Sequence, residues 1–88
     1  MVEKKITVKN KLGLHARPAA LLVKTAASFK SDVYLAREGQ VVNGKSIMGV
    51  MMLAANLGSE LTISVRGEDE EKALSALVKL FSERFGED

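Results

Sequence analysis

The 88-residue chain contains no cysteine and no tryptophan, one proline and one histidine. Without cysteine neither a disulfide framework nor a thiolate metal site can form, and a small domain that folds without disulfides suits a reducing compartment. No apolar run approaches the roughly 20 residues that a spanning helix needs, and Met1–Val8 lacks the apolar stretch of a secretion signal. The location expected is therefore cytoplasmic, without membrane insertion. The four aromatic residues, Phe29, Tyr34, Phe81 and Phe85, are scattered, so no platform for stacking nucleic-acid bases is expected. Charge of one sign is also scarce: 13 basic and 11 acidic residues leave a formal net charge of +2, which gives no reason to expect a nucleic-acid partner.

What is present is the composition of an ordinary folded protein, 47% hydrophobic and 27% charged. At this length one domain over residues 1–88 is expected, with a modest core. Val2, Ile6 and Val8 alternate with Glu3, Lys5 and Thr7 as in a half-buried strand. From Ala16 to about Ser28, Ala19, Leu22, Val23 and Ala26 fall on one helical face. Val33 and Leu35, a turn at Glu38-Gly39 and the segment Gln40–Asn43 predict a hairpin. Ser46 is a good N-cap for a short apolar helix from Ile47 to Leu53. Leu61, Ile63 and Val65 predict a fourth strand. Asp69 is expected to cap a last helix whose stripe is Leu74, Leu77, Val78, Phe81 and Phe85. The order β-α-β-β-α-β-α predicts an α+β fold, a two-layer open-faced sandwich with three helices on one face of a four-stranded, mainly antiparallel sheet.

The single histidine lies in Gly13-Leu14-His15-Ala16-Arg17-Pro18, where strand gives way to helix. Proline is tolerated in a first helical turn because its missing N–H would have no partner there. His15 is thus expected at the N-terminal edge of the helix, where unpaired amides and the helix dipole favour an anion. A neutral imidazole keeps one nucleophilic nitrogen, and a guanidinium at Arg17 could clamp a phosphoryl group carried on it. The plain alternative is an ordinary structural histidine, and the spacing alone does not exclude it.

A second motif pulls elsewhere. Gly39-Gln40-Val41-Val42-Asn43-Gly44-Lys45-Ser46 matches the G-x-x-x-x-G-K-[ST] pattern of nucleotide-binding loops letter for letter. Against a nucleotide hydrolase, Val41-Val42 reads as strand inside the supposed cradle, and no strand ending in a magnesium-binding aspartate follows.

Taken together, His15-Ala16-Arg17-Pro18-Ala19 and Val42-Asn43-Gly44-Lys45-Ser46-Ile47-Met48-Gly49-Val50 closely resemble the histidine-containing phosphocarrier (HPr) family of the bacterial phosphotransferase system, over nearly the whole chain. The resemblance implies a carrier without turnover of its own and without cofactor or metal. His15 would take a phosphoryl group on Nδ1 from enzyme I and give it to an enzyme IIA domain, with Arg17 as stabiliser. It further implies Ser46 as a regulatory site for an HPr kinase/phosphorylase. The runner-up is a regulatory interaction domain that no longer carries phosphate on histidine; a regulatory paralogue in the family keeps this serine and replaces the histidine, so the presence of His15 favours the carrier. Leu12 stands where many members have a polar residue. Ile47, Met48 and Met51, next to Ser46, are expected to form an exposed docking patch beside His15. A monomer is expected, since no oligomerisation element stands out.

Overall fold

A computed structural model describes residues 1–87. The strands are β1 (Val2–Thr7), β2 (Asp32–Arg37), β3 (Gln40–Asn43) and β4 (Glu60–Arg66). The helices are α1 (Ala16–Ala27), α2 (Ile47–Met52) and α3 (Glu70–Ser82), followed by a 3-10 turn at Arg84–Gly86. The sheet order is β1-β4-β2-β3, and every pairing is antiparallel.

Side-chain alternation explains the two faces of this sheet. The register sets Val2 and Val33 on either side of Val65, and Leu35 beside Ile63. Val33, Leu35, Leu61, Ile63 and Val65 are all buried under the helices. Each contributes roughly 1.5–3 kcal/mol before chain entropy is subtracted. The opposite face carries Glu3, Lys5 and Tyr34, all exposed, and there Ser64 donates its hydroxyl proton to Glu3 across the strand pair at 2.9 Å. Leu22 and Ala26 of α1 and Ala73 and Leu77 of α3 close the core from the helical layer.

Two expectations for the last helix are corrected. Asp69 stands at the N-cap position of α3, but its side chain does not cap that helix. It accepts instead from the amides of Lys30 (2.9 Å) and Ser31 (3.0 Å) and from the Ser31 hydroxyl, tying the α1–β2 loop to the start of α3. These bonds, the Ser31 hydroxyl foremost, hold its carboxyl down to about 2. Two amides and one hydroxyl of a neighbouring loop outcompete one helical amide for the same carboxylate.

Phe85, secondly, does not continue the helical stripe. The helix stops at Ser82, whose hydroxyl donates to the Lys79 carbonyl at 3.0 Å, and Arg84 and Phe85 take left-handed backbone angles (φ 55° and 53°). The chain thereby reverses and lays the Phe85 ring edge-on against Phe81, with centroids 4.8 Å apart and planes at 75°. Burying the ring offsets the left-handed strain. The reversal also sends Gly86 and Glu87 back toward the start of α1.

Candidate functional site

The segment between β1 and α1 is held on both sides of His15. Asn10 is fully buried and its amide group donates to the Gly13 carbonyl at 2.7 Å, while the Gly13 amide donates back to the Asn10 carbonyl at 3.1 Å. Gly13 needs a left-handed conformation (φ +69°) and has no room for a side chain, because a Cβ would overlap the Ala55 carbonyl oxygen. The next amide, Leu14, donates to that same carbonyl at 2.9 Å, and the Leu14 side chain is buried. The loop after α2 thus braces the residue preceding the histidine.

His15 is the N-cap residue of α1, in extended conformation (φ −74°, ψ −173°), and its carbonyl accepts the Ala19 amide at 3.0 Å. Its side chain does not cap the helix. The amides of Ala16 and Arg17 are first-turn donors without an intrahelical acceptor, Pro18 has none, and no acidic residue lies in that turn. The imidazole is 36% exposed, open enough for a reagent to reach it. Arg17 is exposed in the same turn and shares a shallow recess with Lys11, Leu12, Gly86 and Glu87. Leu12 itself is 70% exposed and brings no polar group to the site.

Glu87, which no motif singled out, faces the ring: its Oε1 lies 3.2 Å from Nε2 of His15. The same oxygen accepts from the Asn10 side-chain amide, also at 3.2 Å. Only the reversal at Arg84 and Phe85 brings it there, and the reading of Phe85 as helical hid that. Among the described residues no group of three or more histidine, cysteine, aspartate or glutamate side chains could hold a metal ion. No helix among them is long and apolar enough to cross a membrane.

Ser46 is the N-cap of α2, as expected, and its half-buried hydroxyl oxygen accepts the Gly49 amide at 3.1 Å. Only Val50 of that helix is buried; Ile47, Met48 and Met51 are exposed, Met48 by 73%. α2 packs against α1, the helix that His15 caps.

The nucleotide-loop pattern is not built as a cradle. Its Gln40–Asn43 stretch is β3, hydrogen-bonded to β2. Asn43 accepts the Lys45 amide at 2.8 Å through its side chain, and the Lys45 ammonium donates to the Phe29 carbonyl at 2.9 Å. The groups a nucleoside triphosphate would need are committed to the fold.

The sequence pattern of the family described as PTS HPr component phosphorylation site matches residues 2–83. The chain belongs to the HPr family of the phosphotransferase system. It is 52% identical over 88 residues to the phosphocarrier protein HPr of Xylella fastidiosa, covering 100% of this chain and 99% of that one. It is also 51% identical over 83 residues to the HPr-like protein Crh of Bacillus subtilis, covering 94% and 98%. Among solved structures, HPr of Thermoanaerobacter tengcongensis superposes with a TM-score of 0.97 at 49% identity, covering 100% of this chain and 99% of that one. A dimeric crystal form of HPr from the same organism superposes at 0.80, with 49% identity and coverage of 99% and 100%. Membership of the HPr family agrees with the resemblance drawn from the two motifs, and the antiparallel sheet with three helices is the fold of these relatives.

Proposed function

We propose that this HPr-family chain is a cytoplasmic phosphocarrier, one domain over residues 1–88. In this reading His15 accepts a phosphoryl group from enzyme I on Nδ1 and donates it to an enzyme IIA domain. The carrier completes no turnover of its own, because each transfer needs a partner. The observation supporting this is the half-exposed imidazole set directly before two amides without intrahelical acceptors and beside an exposed arginine. The amides and dipole of α1 favour the incoming dianion, and Arg17 forms charge-assisted bonds to its oxygens.

The exposed side chains of Ile47, Met48 and Met51 serve as the docking patch, flexible enough to repack against successive partners. Ser46 is the regulatory site for an HPr kinase/phosphorylase: phosphate there adds negative charge at the edge of the patch without demanding a new fold. The protein works as a monomer in this scheme, and the dimeric HPr crystal form of the relative makes the oligomeric state worth measuring alongside.

Incubation with enzyme I and phosphoenolpyruvate, followed by mass analysis before and after mild acid, tests the carrier reading. One acid-labile phosphate on the wild type and none on His15→Ala is the expected result. A wild type that takes no such phosphate overturns it and favours the regulatory interaction domain, the role suggested by the similarity to Crh, the catabolite repression HPr of Bacillus subtilis.

A further inference from the structure

We propose that Glu87 is a positioning residue for His15: it holds the imidazole in the tautomer whose Nδ1 lone pair is free, and it balances the charge that the ring gains when phosphorylated. This rests on the reading of His15 as the phosphoryl acceptor.

The geometry sets the roles. Oε1 of Glu87 lies 3.2 Å from Nε2 of His15 and 3.2 Å from the Asn10 side-chain nitrogen. A carboxylate can only accept, so a neutral imidazole facing it carries its proton on Nε2. The proton is thereby kept off Nδ1. Asn10 is fully buried and is itself anchored by its 2.7 Å bond to the Gly13 carbonyl, so the oxygen is aimed from a rigid part of the fold. The Glu87 side chain is only 16% exposed, which limits screening of its charge by water.

The transfer step uses both effects. The Nδ1 lone pair forms the new N–P bond while the donor's bond to phosphorus breaks and its electron pair returns to the donor. No proton leaves the ring. The product is an N-phosphorylated imidazolium, still protonated on Nε2, and its positive charge sits against the carboxylate. The interaction is stronger after transfer than before it, so Glu87 favours the phosphorylated state rather than merely binding the free ring. The same negative charge also opposes the arriving phosphoryl oxygens, and Arg17, lining the same recess, offsets it.

The experiment compares wild type, Glu87→Ala and Glu87→Gln by two readouts. The first is the pair of ring 15N chemical shifts of His15, recorded at alkaline pH where imidazoles are neutral. The second is the equilibrium level of acid-labile phosphate reached with enzyme I and a phosphoenolpyruvate/pyruvate mixture. Loss of a charge-assisted hydrogen bond from a half-exposed ring predicts that Glu87→Ala lowers the ratio of Nε2–H to Nδ1–H tautomer about fivefold. It predicts a similar fall in the phosphorylation equilibrium. Glu87→Gln keeps an acceptor oxygen without the charge, so it should preserve most of the tautomer ratio while losing the phosphorylation effect. Ring shifts in Glu87→Ala identical to wild type would overturn the inference. So would an unchanged phosphorylation equilibrium in a phosphorylatable protein. A wild type that takes no phosphate refutes the carrier reading instead, and the 15N shifts still decide whether Glu87 sets the tautomer.

Discussion

The ammonium of Lys45 donates to the backbone carbonyl of Phe29, at 2.9 Å, just beyond the end of α1. A cation there satisfies an acceptor that the helix leaves behind and complements the negative end of its dipole. Lys45→Met should therefore lower stability by about 1 kcal/mol, read from denaturant midpoints. It should leave enzyme I-dependent labelling of His15 intact. ATP hydrolysis that requires Lys45 and magnesium would contradict this structural role.

Asp69 makes stability depend on pH in the acid range. Its folded-state carboxyl is lowered from 3.8 to about 2, chiefly by the Ser31 hydroxyl and the Lys30 amide. A depressed folded value means that its contribution is fully present above the unfolded value near 3.8 and is lost as pH falls through about 2. Thermal unfolding measured between neutral pH and pH 2 checks this. Asp69→Asn should melt lower than wild type at neutral pH, and the gap should close over that acid window. A gap independent of pH would mean that the carboxylate charge is not what holds the loop.

Much of this architecture could be read from local pattern. The strand parity of Leu61, Ile63 and Val65 and the helical spacing of Ala19, Leu22 and Ala26 each depend on neighbours in sequence, and all six side chains are buried. The misreadings lie where distant groups compete. Asp69 looked like a cap because its partners, Lys30 and Ser31, are almost 40 residues away. Phe85 follows Phe81 by one helical turn's spacing, so a reversal that buries the same ring is indistinguishable from a continuing helix until the backbone is seen. Glu87 was invisible for that reason, whereas His15 and Arg17 announced themselves through a local feature, the helix start marked by Pro18. Their roles in transfer remain the proposal that the labelling experiment tests.

Gly13 offers a mutational probe of the brace behind His15. Its backbone has φ +69°, and a Cβ would strike the Ala55 carbonyl oxygen and come within 2.8 Å of the Asn56 Cα. Gly13→Ala should destabilise the fold by more than about 1 kcal/mol, since both the dihedral and the contact are unfavourable. Amide shift changes should concentrate at Leu14, His15 and Ala55. Phosphorylation of His15 should slow even under conditions where the variant is fully folded, because the ring is displaced relative to the amides of α1. Transfer at the wild-type rate in the folded variant would show that the brace does not set the site.

Ser46 carries a structural role and a proposed regulatory one, and one pair of variants separates them. Its hydroxyl oxygen accepts the Gly49 amide at 3.1 Å. Ser46→Ala should cost about 1 kcal/mol through loss of that cap. Ser46→Asp keeps an acceptor at the helix start and adds a negative charge there, so stability should stay near that of the wild type. Binding should divide the pair the other way. The alanine variant should accept phosphate from enzyme I at close to the wild-type rate, whereas the aspartate should slow it several-fold by placing charge beside Ile47 and Met48. With an HPr kinase/phosphorylase and ATP, only the wild type should gain an acid-stable phosphate. Acid-stable labelling of Ser46→Ala would put the regulatory site on another residue, and equal transfer rates for both variants would remove the docking patch from the scheme.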